Sequence, residues 1–123
     1  MPKQEYQIEY DNFIAGYKKG VTDAEDAGQL ISRLAQYFSN TNTTLGEKWR
    51  KMVIKSAEII NQTDSNTGKP IAVNRAELLI SATTEAMELN DSKVDISNIE
   101  QMINAIKSLQ RGMTNDYHHM GNT

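Results

Sequence analysis

The sequence predicts an all-α fold, a helical bundle of three to four helices, and three observations carry that expectation. Apolar residues recur at alternating steps of three and four in four stretches of the chain. Three pairs, Thr22/Glu25, Thr44/Glu47 and Asn74/Glu77, match the capping pattern. In it, a side-chain oxygen accepts from a free backbone N–H while the carboxylate three positions on reaches back. Neither Gly nor Pro falls between Pro70 and Gly112.

In the first element, Tyr6, Tyr10, Phe13, Ile14 and Tyr17 fit helical spacing. Tyr6, Ile8 and Tyr10 also alternate as a strand would, but the helix accounts for more residues and Gly20 after Lys18-Lys19 supplies a stop. The second helix opens at the Thr22/Glu25 pair, with Asp23, Glu25 and Asp26 in the first turn, where the helix dipole favours negative charge. Its stripe is Ala24, Ala27, Leu30, Ile31, Leu34, Tyr37 and Phe38; Ser39 to Thr43 lacks periodicity and reads as a loop.

A third helix is expected from Thr44 to about Gln62, with Leu45, Trp49, Met52, Val53, Ser56, Ile59 and Ile60 on its inward side. Thr63 to Pro70 is turn chemistry, since Asp, Asn and Gly satisfy backbone groups locally or adopt unusual dihedrals. From Asn74 the stripe Leu79, Ala82, Ala86, Leu89, Ser92, Ile96, Ile99, Ile103, Ile106, Gln110, Met113 predicts one long helix over 74–112. The polar cluster Asn90-Asp91-Ser92, with Asp95 as a fresh cap, would be the place for a fold-back instead. The whole chain, 1–123, reads as a single helical domain with a short flexible tail over 113–123.

Composition narrows the function classes. The apolar fraction of 38% is below the usual ~45–50%, enough for one stripe per helix, and suggests that a partner completes part of the core. A net charge of −3 argues against a dedicated nucleic-acid binder, which is usually basic. No cysteine is present, so there is neither a disulfide framework nor a thiolate metal site. The first residues carry no apolar signal core, and no run reaches the ~18 apolar residues of a membrane span. A cytoplasmic protein without membrane association is expected.

No catalytic set emerges, and no cofactor or metal is expected. Asn66-Thr67-Gly68-Lys69-Pro70 hints at a phosphate loop, but that motif needs Gly five residues before its Gly-Lys and Ser or Thr after the Lys. Thr63 and Pro70 stand there, so a helix–helix turn is the reading. His118 and His119 are adjacent tail residues with no third ligand spaced to complete a zinc site. Asp23/Asp26 and Glu85/Glu88 have helix-surface spacing and read as capping and solubility. Lys48, Lys51 and Lys55 share one face of the third helix, turned away from Trp49 and Met52. Such a row can neutralise phosphates or meet an acidic partner, although a solvated face is the commoner use. The methionines lie mostly on or beside the stripes, where thioethers fill irregular contacts.

Helix length points to a partner. A helix over 74–112 would span about 57 Å, against a diameter of about 35 Å for a compact chain of this length. Leu89, Ile96, Ile99, Ile103 and Ile106 would then form an overhanging apolar face, and exposing each large side chain costs roughly 1.5–3 kcal/mol. They are the expected partner or oligomer interface.

Gly68-Lys69-Pro70-Ile71, Ala82-Thr83-Thr84-Glu85, Asn98-Ile99-Glu100-Gln101 and Ile106 through Gly112 resemble small helical proteins encoded by tailed bacteriophages. The resemblance covers residues 68–112. It implies a virion or neck component, or an accessory protein that binds a host factor, and it implies no catalytic residues. The expected function is therefore a non-enzymatic protein–protein interaction module, acting as a homo-oligomer or on another phage or host protein. The alternatives are a small inhibitor of a host protein such as a defence factor, and a nucleic-acid-binding accessory protein using Lys48, Lys51 and Lys55.

Overall fold

A computed structural model describes residues 4–63 and 67–121, with side chains described for 4–63 and 67–114. Four helices follow one another: α1 (Glu5–Lys18), α2 (Ala24–Ile60), α3 (Val73–Ser81) and α4 (Thr84–Gly121). No strand occurs among the described residues, and the all-α expectation stands. The turn before α3 holds one isolated bridge, Thr63 to Pro70, with Gly68 in the left-handed region at φ +68°.

α1 ends where expected, at a left-handed Gly20 with φ +74°. The Gly20 and Val21 N–H groups donate back to the Tyr17 and Gly16 carbonyls, both at 3.0 Å. This two-bond closure uses the carbonyls that a helix end otherwise leaves unpaired. The chain turns tightly over Gly16, where a Cβ would meet Thr22 Cγ2 at 2.8 Å.

The opening of α2 falls one residue later than the Thr22/Glu25 pattern suggests. Asp23 Oδ1 accepts from the Asp26 N–H at 2.8 Å, and Asp26 Oδ2 accepts from the Asp23 N–H at 3.0 Å. Thr22 Oγ1 is instead buried without a hydrogen-bond partner. Aspartate is at least as good a cap as threonine, and it forms the same reciprocal pair.

The loop expected at 39–43 is absent, because α2 runs unbroken to Ile60. Serine, asparagine and threonine cost only fractions of a kcal/mol each inside a helix, too little to break one without Gly or Pro. The Thr44 hydroxyl donates back to the Thr41 carbonyl at 2.9 Å rather than capping a new helix.

The single helix expected over 74–112 is also corrected. Asn74 caps nothing; α3 starts from Ala72 without a side-chain cap and stops at Ser81. Thr83 makes the break. Its hydroxyl donates to the Ile80 carbonyl at 2.7 Å and accepts from the Ala86 N–H at 3.1 Å, closing α3 and capping α4. No fold-back occurs at 90–95, and α4 continues through the expected tail to Gly121.

Where one domain was expected, the contacts fall into two compact units: Met1–Asn40 with Ile96–Thr123, and Thr41–Asp95. The first unit holds the principal core. Tyr6 and Phe13 of α1, Ala27, Leu30 and Leu34 of α2, and Ile99, Met102 and Ile106 of α4 are buried together. Tyr10, Ile14, Ile31, Tyr37, Phe38, Ile103, Leu109 and Met113 pack around them. Gln110 Nε2 donates to the Ala24 carbonyl at 3.1 Å, and Arg33 Nε pairs with a Glu9 carboxylate oxygen at 3.1 Å. In the second unit the buried residues are Ile59, Ala76, Leu89 and Ser92.

Candidate interaction surface

The isoleucine stripe of α4 is not a free interface. Ile99 and Ile106 are fully buried by their own chain and belong to the first unit's core, while Leu89 is buried in the second unit. Ile96 and Ile103 are half-buried. The apolar face that α4 was expected to offer to a partner is covered by α1 and the first part of α2 where it lies in the first unit. Ile103 remains at the edge of a recess of about 320 Å³, with Ala35, Phe38, Glu100 and Asn104.

The lysine row is corrected too. Lys48 and Lys55 are half-buried and only Lys51 is exposed. Lys48 Nζ donates to the Oγ of buried Ser92 at 2.7 Å, and Lys55 Nζ pairs with Glu58 at 3.5 Å. A lysine stem can lie along apolar surface while its ammonium finds a polar partner, which is how a helix face rich in cations turns inward. It is not an open basic strip.

The surface that stands out is one the sequence analysis assigned to the core. Trp49 is 53% exposed, and Val53, Ile54 and Ile60 are exposed as well. The broad stripe Leu45, Trp49, Met52, Val53, Ser56, Ile59, Ile60 is in fact two. Leu45, Met52, Ser56 and Ile59 face the second unit's interior to differing depths, whereas Trp49, Val53 and Ile60 face outward with Ala57. The width of the stripe was the available signal, because a helix buried on one side has room for only one face. Beside Trp49 lies a recess of about 260 Å³ lined by Asn42, Leu45, Gly46, Leu89 and Lys93. Val73, Leu78 and Leu79 of α3 and Met87 and Val94 of α4 are also exposed.

No group of three or more metal-ligating side chains occurs among the described residues. The His118 and His119 side chains lie outside the described ones. Asn66 of the phosphate-loop-like stretch lies outside the described residues; past it the Lys69 N–H donates to Thr67 Oγ1 at 3.3 Å, so that hydroxyl serves the local backbone. No described helix is long and apolar enough to cross a membrane. Comparison with known proteins brings no relative from which a role could be carried over: no family model, curated protein or solved structure matches the chain.

Proposed function

We propose that this chain is a non-enzymatic protein–protein interaction module whose docking surface is the apolar exterior of the second unit. The observation that carries the reading is the distribution of exposed apolar side chains. Of twelve large hydrophobic residues exposed among the described ones, nine belong to the second unit, and one of the nine is Trp49. Single exposed apolar residues are ordinary, but a concentration of them marks a surface meant to be covered, and tryptophan is enriched where binding energy concentrates. The resemblance of residues 68–112 to small helical proteins of tailed bacteriophages supports a virion, neck or accessory role in a host cytoplasm. A host-protein inhibitor would use the same surface with a different partner.

The test is site-specific photo-crosslinking in the native cell or virion. A photoreactive residue at Leu78 or Trp49 should give a covalent adduct of defined mass, and one at exposed Ser108 of the first unit should not. Adducts absent from both second-unit positions, or equally abundant at Ser108, would overturn the proposal.

A further inference from the structure

Very little divides α3 from α4. Ala82 keeps a right-handed helical backbone, φ −86° and ψ −3°, and its N–H still donates to the Leu78 carbonyl at 3.1 Å. The helical pattern fails only at the next few amides. The Thr83 N–H turns to the Ile80 carbonyl, and the Thr83 hydroxyl takes the Ala86 N–H. The Thr84 and Glu85 N–H groups have no acceptor among the described residues. No Gly or Pro enforces the break. One hydroxyl thus stands against two amides that an unbroken helix would pair with the Ile80 and Ser81 carbonyls.

The apolar faces do not match across this break. At about 100° per residue, Leu78 and Ala82 continue the line of Leu89 to within about 20° and Leu79 to within about 80°, whereas Ala76 lies about 140° away. Yet Ala76 is buried, while Leu78 is 71% and Leu79 39% exposed. α3 therefore turns inward the side opposite to the one its stripe would bury, covering one alanine and leaving two leucines in water. In a continuous helix those leucines would rejoin the Leu89 face, and they would find a neighbour there. α2 and α4 run antiparallel with Lys48 meeting Ser92, so Ile60, twelve residues on, stands level with position 80. Ile60 is exposed, and it lies within about 20° of Trp49, which shares a recess with Leu89. Val73 would rise about 11 Å beyond that level, well within the reach of the twelve residues joining it to Ile60.

We infer that α3 and α4 form a hinge: the chain also populates a state in which the helix is continuous through Ala82–Thr83 and Leu78 and Leu79 pack beside Ile60. The Thr83 bridge and the burial of Ala76 oppose it; two helical bonds and two leucines favour it. States that differ by so few contacts are shifted by a small bias. Straightening withdraws Leu78 and Leu79 from the exposed set. That this would remove part of a docking surface rests on the function proposed above; the hinge itself does not.

The experiment is NMR relaxation dispersion on the amides of residues 82–86, which reads a minor state exchanging on the μs–ms scale. Thr83→Ala removes the bridge but permits the helix. It should raise the minor population about fivefold, the equilibrium equivalent of one lost cap, with helical carbon shifts at position 83 in that state. Thr84→Pro acts the other way. Proline suits the first residue of α4, whose N–H has no acceptor, and is excluded from a helix interior. This variant should fold as the wild type does and abolish the exchange.

Absence of exchange in both the wild type and Thr83→Ala would overturn the inference. So would exchange that Thr84→Pro leaves intact, or a minor state with random-coil shifts, since either means that α3 unfolds rather than straightens. Photo-crosslinking at Leu78 and Trp49 keeps the two proposals apart: no adduct at either, with the exchange present, would remove the docking role and leave the hinge.

Discussion

The two units are built from the same two long helices and differ in what those helices bury. In the first, α1 closes over α2 and α4, and aromatic and branched side chains from all three meet in one cluster. In the second, α3 is the short third member, and of its apolar residues only Ala76 is buried while Val73, Leu78 and Leu79 stay exposed. Its interior also accepts a serine and the stem of a lysine, joined at 2.7 Å. One unit is completed by its own chain and the other is left unfinished. The contrast places the larger buried cluster in the first unit and most of the exposed apolar side chains, the proposed docking surface, in the second.

The largest effect that sharpens this comparison is a pair of truncations. Leu34→Ala removes a fully buried side chain from the first unit and should cost about 2–5 kcal/mol. Leu78→Ser, at 71% exposure, should change stability by less than about 0.5 kcal/mol. The chain supplies a reporter for each unit. Its one tryptophan, Trp49, lies in the second, and Tyr6, Tyr10, Tyr17 and Tyr37 lie in the first. In denaturant, tryptophan fluorescence should change at lower concentration than the tyrosine signal, because fewer apolar groups hold the second unit together. Coincident transitions in wild type and both variants would show one cooperative unit and break the comparison.

A smaller effect concerns Thr83, whose hydroxyl ends α3 and caps α4. Thr83→Ala should cost about 1 kcal/mol and show in the tryptophan transition before the tyrosine one. Restoration by Thr83→Ser would assign the loss to the hydroxyl. No change in either transition would mean that the α3–α4 break is held by packing rather than by the cap.

The break shows what a sequence reader can and cannot see. The apolar stripes that build the first unit were legible, because Leu30, Leu34, Ile99 and Ile106 are large and spaced at steps that only one helix face satisfies, but Ile99 and Ile106 were assigned to a partner and are core instead. Thr83 was not, since a hydroxyl that breaks a helix and one that bonds back within it look alike until the carbonyl it meets is known. Ser39 to Thr43 misled in the opposite direction, being polar and unperiodic yet helical. The exposed face at Trp49 was hidden by a general expectation that tryptophan lies inward and lysine outward, which the Lys48–Ser92 bond reverses. The isoleucine stripe was assigned to a partner interface, whereas its cover in the first unit comes from the same chain.

The smallest effect is a pH dependence confined to the first unit. Tyr37 stacks at a tilt on Tyr6, with ring centres 6.2 Å apart, and its hydroxyl donates to a Glu5 carboxylate oxygen at 3.3 Å. Desolvation by its packing, then the negative charges of Glu9 and Glu5, push its ionisation above the ordinary 10.0. The sign follows from linkage: the folded state holds this proton more tightly than the unfolded state. The resulting stabilisation is whole below pH 10 and is lost as the pH rises through the folded value. Phenolate absorbance should therefore show a late-titrating component that Tyr37→Phe removes. The same substitution should flatten the fall in stability above pH 10 as read by the tyrosine transition, and leave the Trp49 transition where it was. The carboxylates must be charged for this to hold, so Glu5→Gln should draw the late titration back toward its ordinary range. If the component lost in Tyr37→Phe titrated in the ordinary range instead of late, α1 would not lie over α2 as described, since Glu5 and Glu9 reach Tyr37 only from α1.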